Sequence, residues 1–198
     1  MPDAGRVVTG TAKGVRLLAP GEGTRPLGDR VKQALFASLE ATDPTPWSGS
    51  FLDLFAGSGA AGIEALSRGA PDAVFVERDA KACRVIERNL QRAGFGNDRA
   101  RVEGVDVLRY LQRGAGDRVA ATPFLTVMLD PPYGDAAMLP SLRLLGDPAH
   151  GWLGEGATVV AKHFWRDILP EQIGRLREDR SRRFGETMLT FYRMETAR

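Results

Sequence analysis

Asp130 ends an apolar run, Phe124 to Leu129, and is followed directly by Pro131, Pro132, Tyr133 and Gly134. The run reads as a buried strand. Neither proline has a backbone N–H, and both have a fixed φ. The Pro131 carbonyl is therefore an acceptor in a rigid, extended corner beside Asp130. Tyr133 adds a flat face. Two acceptors beside an aromatic ring can receive a planar group carrying an NH2, such as a nucleobase. An ordinary strand exit with Pro and Gly as breakers would use the same letters. The rest of the chain has to decide.

A second chemical stretch is Phe51-Leu52-Asp53-Leu54-Phe55-Ala56-Gly57-Ser58-Gly59-Ala60-Ala61-Gly62. It reads as a buried strand, a glycine-rich turn and a helix start, where free N–H groups meet a ligand. The letters also satisfy G-x-G-x-x-G, so a nicotinamide dinucleotide site is an alternative. Asp53 points elsewhere. A carboxylate just before the glycines suits a cationic ligand, an ammonium or a sulfonium, better than a pyrophosphate. The next strand, Ala73 to Glu77, ends in an acid about twenty residues after the glycines, where it can accept both hydroxyls of a ribose. Asp106 follows a third strand. It can accept from an adenine amino group, or simply cap the helix Leu108 to Arg113.

These groups need a frame, and the patterning supplies one. Asp79 caps a helix with Ala82, Cys83, Ile86, Leu90 and Ala93 on one face and Gly94 as its stop. The strand before Asp130 is the fourth. A helix is expected around Ala136 to Leu145, a fifth strand over Ala157 to Ala161, and a helix near Pro170 to Leu176. Two final strands flank Phe184-Gly185-Glu186, and Gly114 to Pro123 reads as an exposed loop. This predicts an α/β fold with a doubly wound, mostly parallel seven-stranded sheet and an antiparallel C-terminal edge. Ligands in such sheets bind beyond the carboxyl ends of the strands. The Gly57/Gly59 turn, Glu77, Asp106 and Asp130 all fall at those ends.

The N-terminal 45 residues form an extension to a core over 46–198, within a single domain. Arg6 to Thr9 and Val15 to Leu18 read as a small β-hairpin, and Asp29 as the N-cap of a helix with Val31, Ala34, Leu35 and Leu39 on one face. Lys13, Arg16, Arg25 and Arg30 make the extension basic. It is either a solvated edge or a flap that contacts phosphates.

Composition is compatible with this. The 198 residues are 43% hydrophobic and 26% charged, with a net charge of +2, as in a soluble globular chain. No apolar h-region or membrane-spanning run is present. The single cysteine, Cys83, cannot form an internal disulfide, which fits a reducing cytoplasm. No metal-ligand cluster stands near it, and no metal is expected.

Taken together the motifs resemble a named family. Thr24-Arg25-Pro26 with Asp29-Arg30-Val31, Leu35-Phe36, Asp53 to Gly59, Glu64 to Ala70, Asp130-Pro131-Pro132-Tyr133 and Phe184-Gly185-Glu186-Thr187 occur in the order and spacing of the RsmD family. The resemblance covers nearly the whole chain. It implies a Rossmann-like methyltransferase fold, S-adenosylmethionine as cofactor, and methylation of a guanine N2 in 16S ribosomal RNA, in naked rRNA or an assembling small subunit. It implies Asp53, Phe55, Ala56, Gly57, Ser58, Gly59, Glu77, Arg78, Asp106 and Val107 as cofactor residues. Asp130, Pro131, Pro132 and Tyr133 would be catalytic, and Lys13, Arg16, Arg25 and Arg30 would bind RNA.

The chain departs from the family pattern at Leu27 and Gly28, where threonine is usual, and at Ala37, where asparagine is usual. The fifth strand commonly ends in Glu-His and here continues as Lys162-His163. Neither is assigned a catalytic role. Other readings are an adenine-N6 methyltransferase, an NAD(P)-dependent oxidoreductase and a non-catalytic RNA-binding domain. The signature accommodates either amine. For the oxidoreductase, no proton relay accompanies the glycines, and Asp53 and Asp130 would go unexplained.

Overall fold

A computed structural model describes residues 3–21, 27–42, 47–117 and 123–196. Its frame is an eight-stranded sheet. Strands β3 (Ser50–Leu54), β4 (Ala73–Glu77), β5 (Ala100–Gly104), β6 (Phe124–Leu129) and β7 (Leu153–Phe164) run parallel. The antiparallel edge consists of β10 (Thr187–Met194), β9 (Leu176–Phe184) and a two-residue β8 (Gln172–Ile173). The order across the sheet is β5-β4-β3-β6-β7-β10-β9-β8.

Three sequence expectations change here. The sheet has eight strands rather than seven, because β8 pairs briefly with the start of β9. The segment Pro170 to Leu176 is not a helix. Its Ile173 and Leu176 are buried against one face, while Gly174 at φ 58° makes the tight turn between two strands. The fifth strand also outruns its expected span and reaches Phe164.

Alternation along the strands sorts the core into two layers. Phe51, Phe75, Met128, Val160 and Phe191 face the helices α1 (Asp29–Thr42), α2 (Ala60–Arg68) and α3 (Ala80–Ala93). Leu52, Leu54, Val127, Leu129, Val159 and Tyr192 face α4 (Val107–Gln112) and α5 (Met138–Gly146). Trp152 closes the second layer against Tyr110, at 4.9 Å between rings, and gives its indole N–H to Leu111 O.

The N-terminal hairpin is β1 (Asp3–Arg6) with β2 (Arg16–Leu18); the first strand is shifted toward the N-terminus from its expected span and the second lies within it. Beyond Val7 the backbone leaves the ladder because another acceptor takes over. The N–H groups of Val8 and Thr9 donate to the buried Glu64 carboxylate on α2, at 2.7 and 3.0 Å. Thr11 and Ala12 then donate to Ser67 near the other end of α2. Asn89 of α3 clasps both polar groups of Leu18 and also donates to Ser58 O in the glycine turn. The hairpin is thus fastened to the same helices that carry the turn.

Candidate active site

At the carboxyl ends of the parallel strands lies a cavity of about 520 Å³, bounded by the glycine turn, Glu77, Asp106, the Asp130–Tyr133 corner and Lys162. Ala4, Ala19, Pro20 and Leu27 of the N-terminal extension close one side. The expected cofactor residues Asp53, Phe55, Ala56, Gly57, Ser58, Glu77, Arg78, Asp106 and Val107 all line it, and Gly59 caps α2 directly behind.

The turn is held under strain. Phe55 adopts φ 61°, a conformation that costs a bulky residue on the order of 1–3 kcal/mol. Glu77 holds it: Oε2 accepts from Gly57 N at 2.9 Å, while Oε1 accepts from Asp79 N at 2.9 Å. Each oxygen retains a lone pair for a further donor. Asp106 is the cap of α4, with Oδ1 accepting from Leu108 N and Arg109 N. Its Oδ2 lies 4.0 Å from Arg78 Nη1, so the capping role leaves the second oxygen at the rim.

Asp53 is 2% exposed and accepts from Gly62 N at 2.9 Å. Burial pushes its carboxyl up to about 8, against the single hydrogen bond that favours the charged form; Asp130 and Glu77 push it further the same way. A cation arriving beside it would favour its ionised form. The small floor of Ala56, Ala60 and Ala61 leaves room for one. These features fit S-adenosylmethionine, whose amino acid end carries an ammonium and a sulfonium.

The acceptor corner is formed as expected. Pro131 is buried and its carbonyl accepts no hydrogen bond among the described residues, whereas the Pro132 carbonyl accepts from Asp135 N. Tyr133 remains 37% exposed, and its hydroxyl is tied to Thr187 Oγ1 at 2.7 Å. Asp130 has a partner the sequence reading did not assign. Lys162 Nζ pairs with Asp130 Oδ1 and lies 5.3 Å from the centre of the Tyr133 ring. Burial raises the Asp130 carboxyl above the usual range, and Lys162 pulls against that rise. Lys162 directly follows the expected fifth strand, but its level against Asp130 is set by the register of β7 on β6. His163 is structural, bonded to Thr190 Oγ1 at 2.9 Å, with its pKa lowered by burial.

The basic residues of the extension are not gathered here. Lys13 sits in the turn bonded to the Ser67 end of α2, while the cavity lies at the Ala60 end. At 1.5 Å per residue that is roughly 10 Å along the helix. Arg16 is paired with Asp3 at 2.8 Å, Arg30 is exposed on α1, and Arg25 lies outside the described residues.

The family model described as "Conserved hypothetical protein 95" matches residues 5–193. YlbH of Bacillus subtilis is 37% identical over 95% of this chain and 98% of its own. Ribosomal RNA small subunit methyltransferase D of Escherichia coli is 35% identical over 83% of this chain and 77% of its own. The chain belongs to the RsmD family. The family fold is equally clear in three dimensions. The Escherichia coli yhhF structure superposes with a TM-score of 0.79 at 30% identity, covering 97% of this chain and 98% of that one. A Salinibacter ruber RNA methyltransferase in complex with S-adenosyl-L-homocysteine shares the fold, with a TM-score of 0.60 at 18% identity over 88% and 96% of the two chains.

Proposed function

We propose that this chain transfers a methyl group from S-adenosylmethionine to the N2 amine of a guanine in 16S ribosomal RNA, acting in the cytoplasm on naked rRNA or on an assembling small ribosomal subunit. The observation that carries this reading is the pairing of two acceptors, Asp130 and the Pro131 carbonyl, at the mouth of a cavity with a cation-seeking Asp53 in its wall. Membership in the RsmD family supports rRNA as the substrate.

S-adenosylmethionine, when bound, supplies a methyl already made electrophilic by a sulfonium. The protein's task is to prepare the amine. Asp53 receives the cationic end of the cofactor, Glu77 its ribose, and Asp106 the adenine edge. Asp130 Oδ2, which has no hydrogen-bond partner among the described residues, and the Pro131 carbonyl accept the two amine hydrogens. This favours a pyramidal nitrogen and stabilises the positive charge it gains as the methyl leaves the sulfonium and S-adenosylhomocysteine remains. The surplus amine proton then passes to Asp130 Oδ2 and on to solvent. Lys162 holds Oδ1 and pulls against the rise that burial imposes on the Asp130 carboxyl. Tyr133, steadied through Thr187, offers its ring to the base and fixes the approach. Lys13, Arg16 and Arg30 add phosphate contacts farther out, and Arg25 adds a further one.

The deciding experiment maps modified bases in 16S rRNA from cells with the gene, without it, and with Asp130→Ala. A single N2-methylguanine that disappears in both mutants is expected. Methylation at adenine N6 instead would overturn the guanine assignment.

A further inference from the structure

The end of β7 and the tip of the β9–β10 hairpin carry a row of side chains that the reaction does not use. Outward from Tyr133, the Phe164 ring lies 5.9 Å away, and the Trp165 ring lies 6.2 Å from Phe164. Trp165 is flanked by two guanidinium groups. Arg183 Cζ is 3.7 Å from its ring centre and Arg166 Cζ is 4.9 Å from it. Arg183 also gives Nε to Gly185 O at 2.9 Å, and Trp165 N is bonded to Glu186 O at 3.0 Å. The remaining guanidinium N–H groups of both arginines have no partner among the described residues. Neither forms an ion pair with Asp167 in the same turn. Ile168, 95% exposed, follows in the same loop.

A ring that holds two arginines in place has removed most of their rotamer freedom before any ligand arrives. Their unpaired N–H edges form a fork suited to phosphate oxygens. The row is continuous with the acceptor corner through Phe164 and Tyr133. We propose that Arg166 and Arg183, ordered by Trp165, clamp the RNA backbone phosphates next to the target nucleotide, and that Phe164 covers the flanking base. The occupant is single-stranded RNA, because an unpaired strand can place a base on Tyr133 and its neighbouring phosphates on this clamp without the cost of unstacking a duplex. The inference rests on the proposed entry of the base at Asp130.

The test is the affinity of a short fluorescein-labelled RNA with one unpaired guanine, measured by anisotropy across a salt titration. Wild type is compared with Arg166→Ala/Arg183→Ala, Arg183→Lys and Trp165→Leu, each checked for folding by thermal unfolding and by S-adenosylhomocysteine binding. Each phosphate contact on a single strand adds about 0.7 to the salt slope. The double variant should therefore bind roughly tenfold or more weakly, with a slope lower by about 1.4, at unchanged S-adenosylhomocysteine affinity. Arg183→Lys should keep the slope and lose part of the affinity, since an ammonium cannot stack or fork. Trp165→Leu should weaken binding although it removes no charge. Wild-type slope and affinity in the double variant overturn the clamp, and so does wild-type affinity in Trp165→Leu. Methyl transfer is measured separately. A protein that methylates no rRNA guanine but loses RNA affinity in these variants would retain the clamp and lose the proposed activity.

Discussion

Lys162 and Asp130 meet because their strands are neighbours and in step. Leu129 pairs with Ala161 and Met128 with Val160 in the parallel ladder, so the next same-face positions are Asp130 and Lys162. Both fall on the side of the sheet that also holds Asp53. The acceptor carboxylate thus carries its own counter-ion from the neighbouring strand.

Replacing Lys162 by Met should move the acid limb of kcat/KM to higher pH. Burial raises the Asp130 pKa and Lys162 is what lowers it. Without that charge the carboxylate takes up its proton sooner as pH falls, and a protonated Asp130 no longer serves as a full acceptor. A pH–rate profile of both proteins checks this; superimposable acid limbs would remove Lys162 from the mechanism.

Asp130→Ala should lower kcat by about 10²–10³ with S-adenosylhomocysteine affinity within a few-fold of wild type. Its backbone N–H is bonded to Leu54 O whatever the side chain, but the buried Lys162 loses its counter-ion, so the variant should also lose stability. Calorimetry and single-turnover kinetics separate the two effects.

Cofactor binding should release a proton from Asp53. With its carboxyl near 8, most of this group is protonated at neutral pH and ionises when a cation arrives beside it. Affinity should rise with pH up to about 8, and calorimetry in buffers of different ionisation enthalpy should show the release. The ligand's own amine titrates nearby, so Asp53→Asn is the control, and an equal release in that variant rules Asp53 out. The sign for stability also follows. A carboxyl raised from 3.8 to about 8 on folding adds stability that is full below the lower value and lost as pH rises through the upper one. Asp53→Asn should flatten that decline.

Gly62→Ala should destabilise the protein by about 1–3 kcal/mol. A Cβ there would come within 2.3 Å of Phe75 Cε1, in a fully buried ring that cannot step aside. The helix-propensity gain of Ala over Gly, about 1 kcal/mol at most, is too small to offset it. Denaturant midpoints decide; an unchanged midpoint would mean that Phe75 relaxes.

Lys13→Ala/Arg16→Ala should lower RNA affinity and flatten its salt slope by about one unit per lost contact. Arg16 already pairs with Asp3, so its share should be the smaller one. Identical titrations for the variant and wild type would make the hairpin a solvated edge.

The sequence by itself determined the parallel core, the glycine turn with Asp53, the acid at Glu77 and the Asp130–Tyr133 corner. Each is a local signal: apolar runs of strand length, glycines where backbone must bend, prolines that withhold donors. These act over a few residues and survive in one dimension. The strands near Gln172 and Leu176 were misread because that stretch gains its partners only from β9 and β10. The hairpin's boundaries depended on Glu64, whose carboxylate draws off the Val8 and Thr9 N–H groups across more than fifty residues of chain. Lys162 beside Asp130, and Arg183 on Trp165, are pairs set by strand register. Register is a property of two segments at once, and only the assembled sheet decides it.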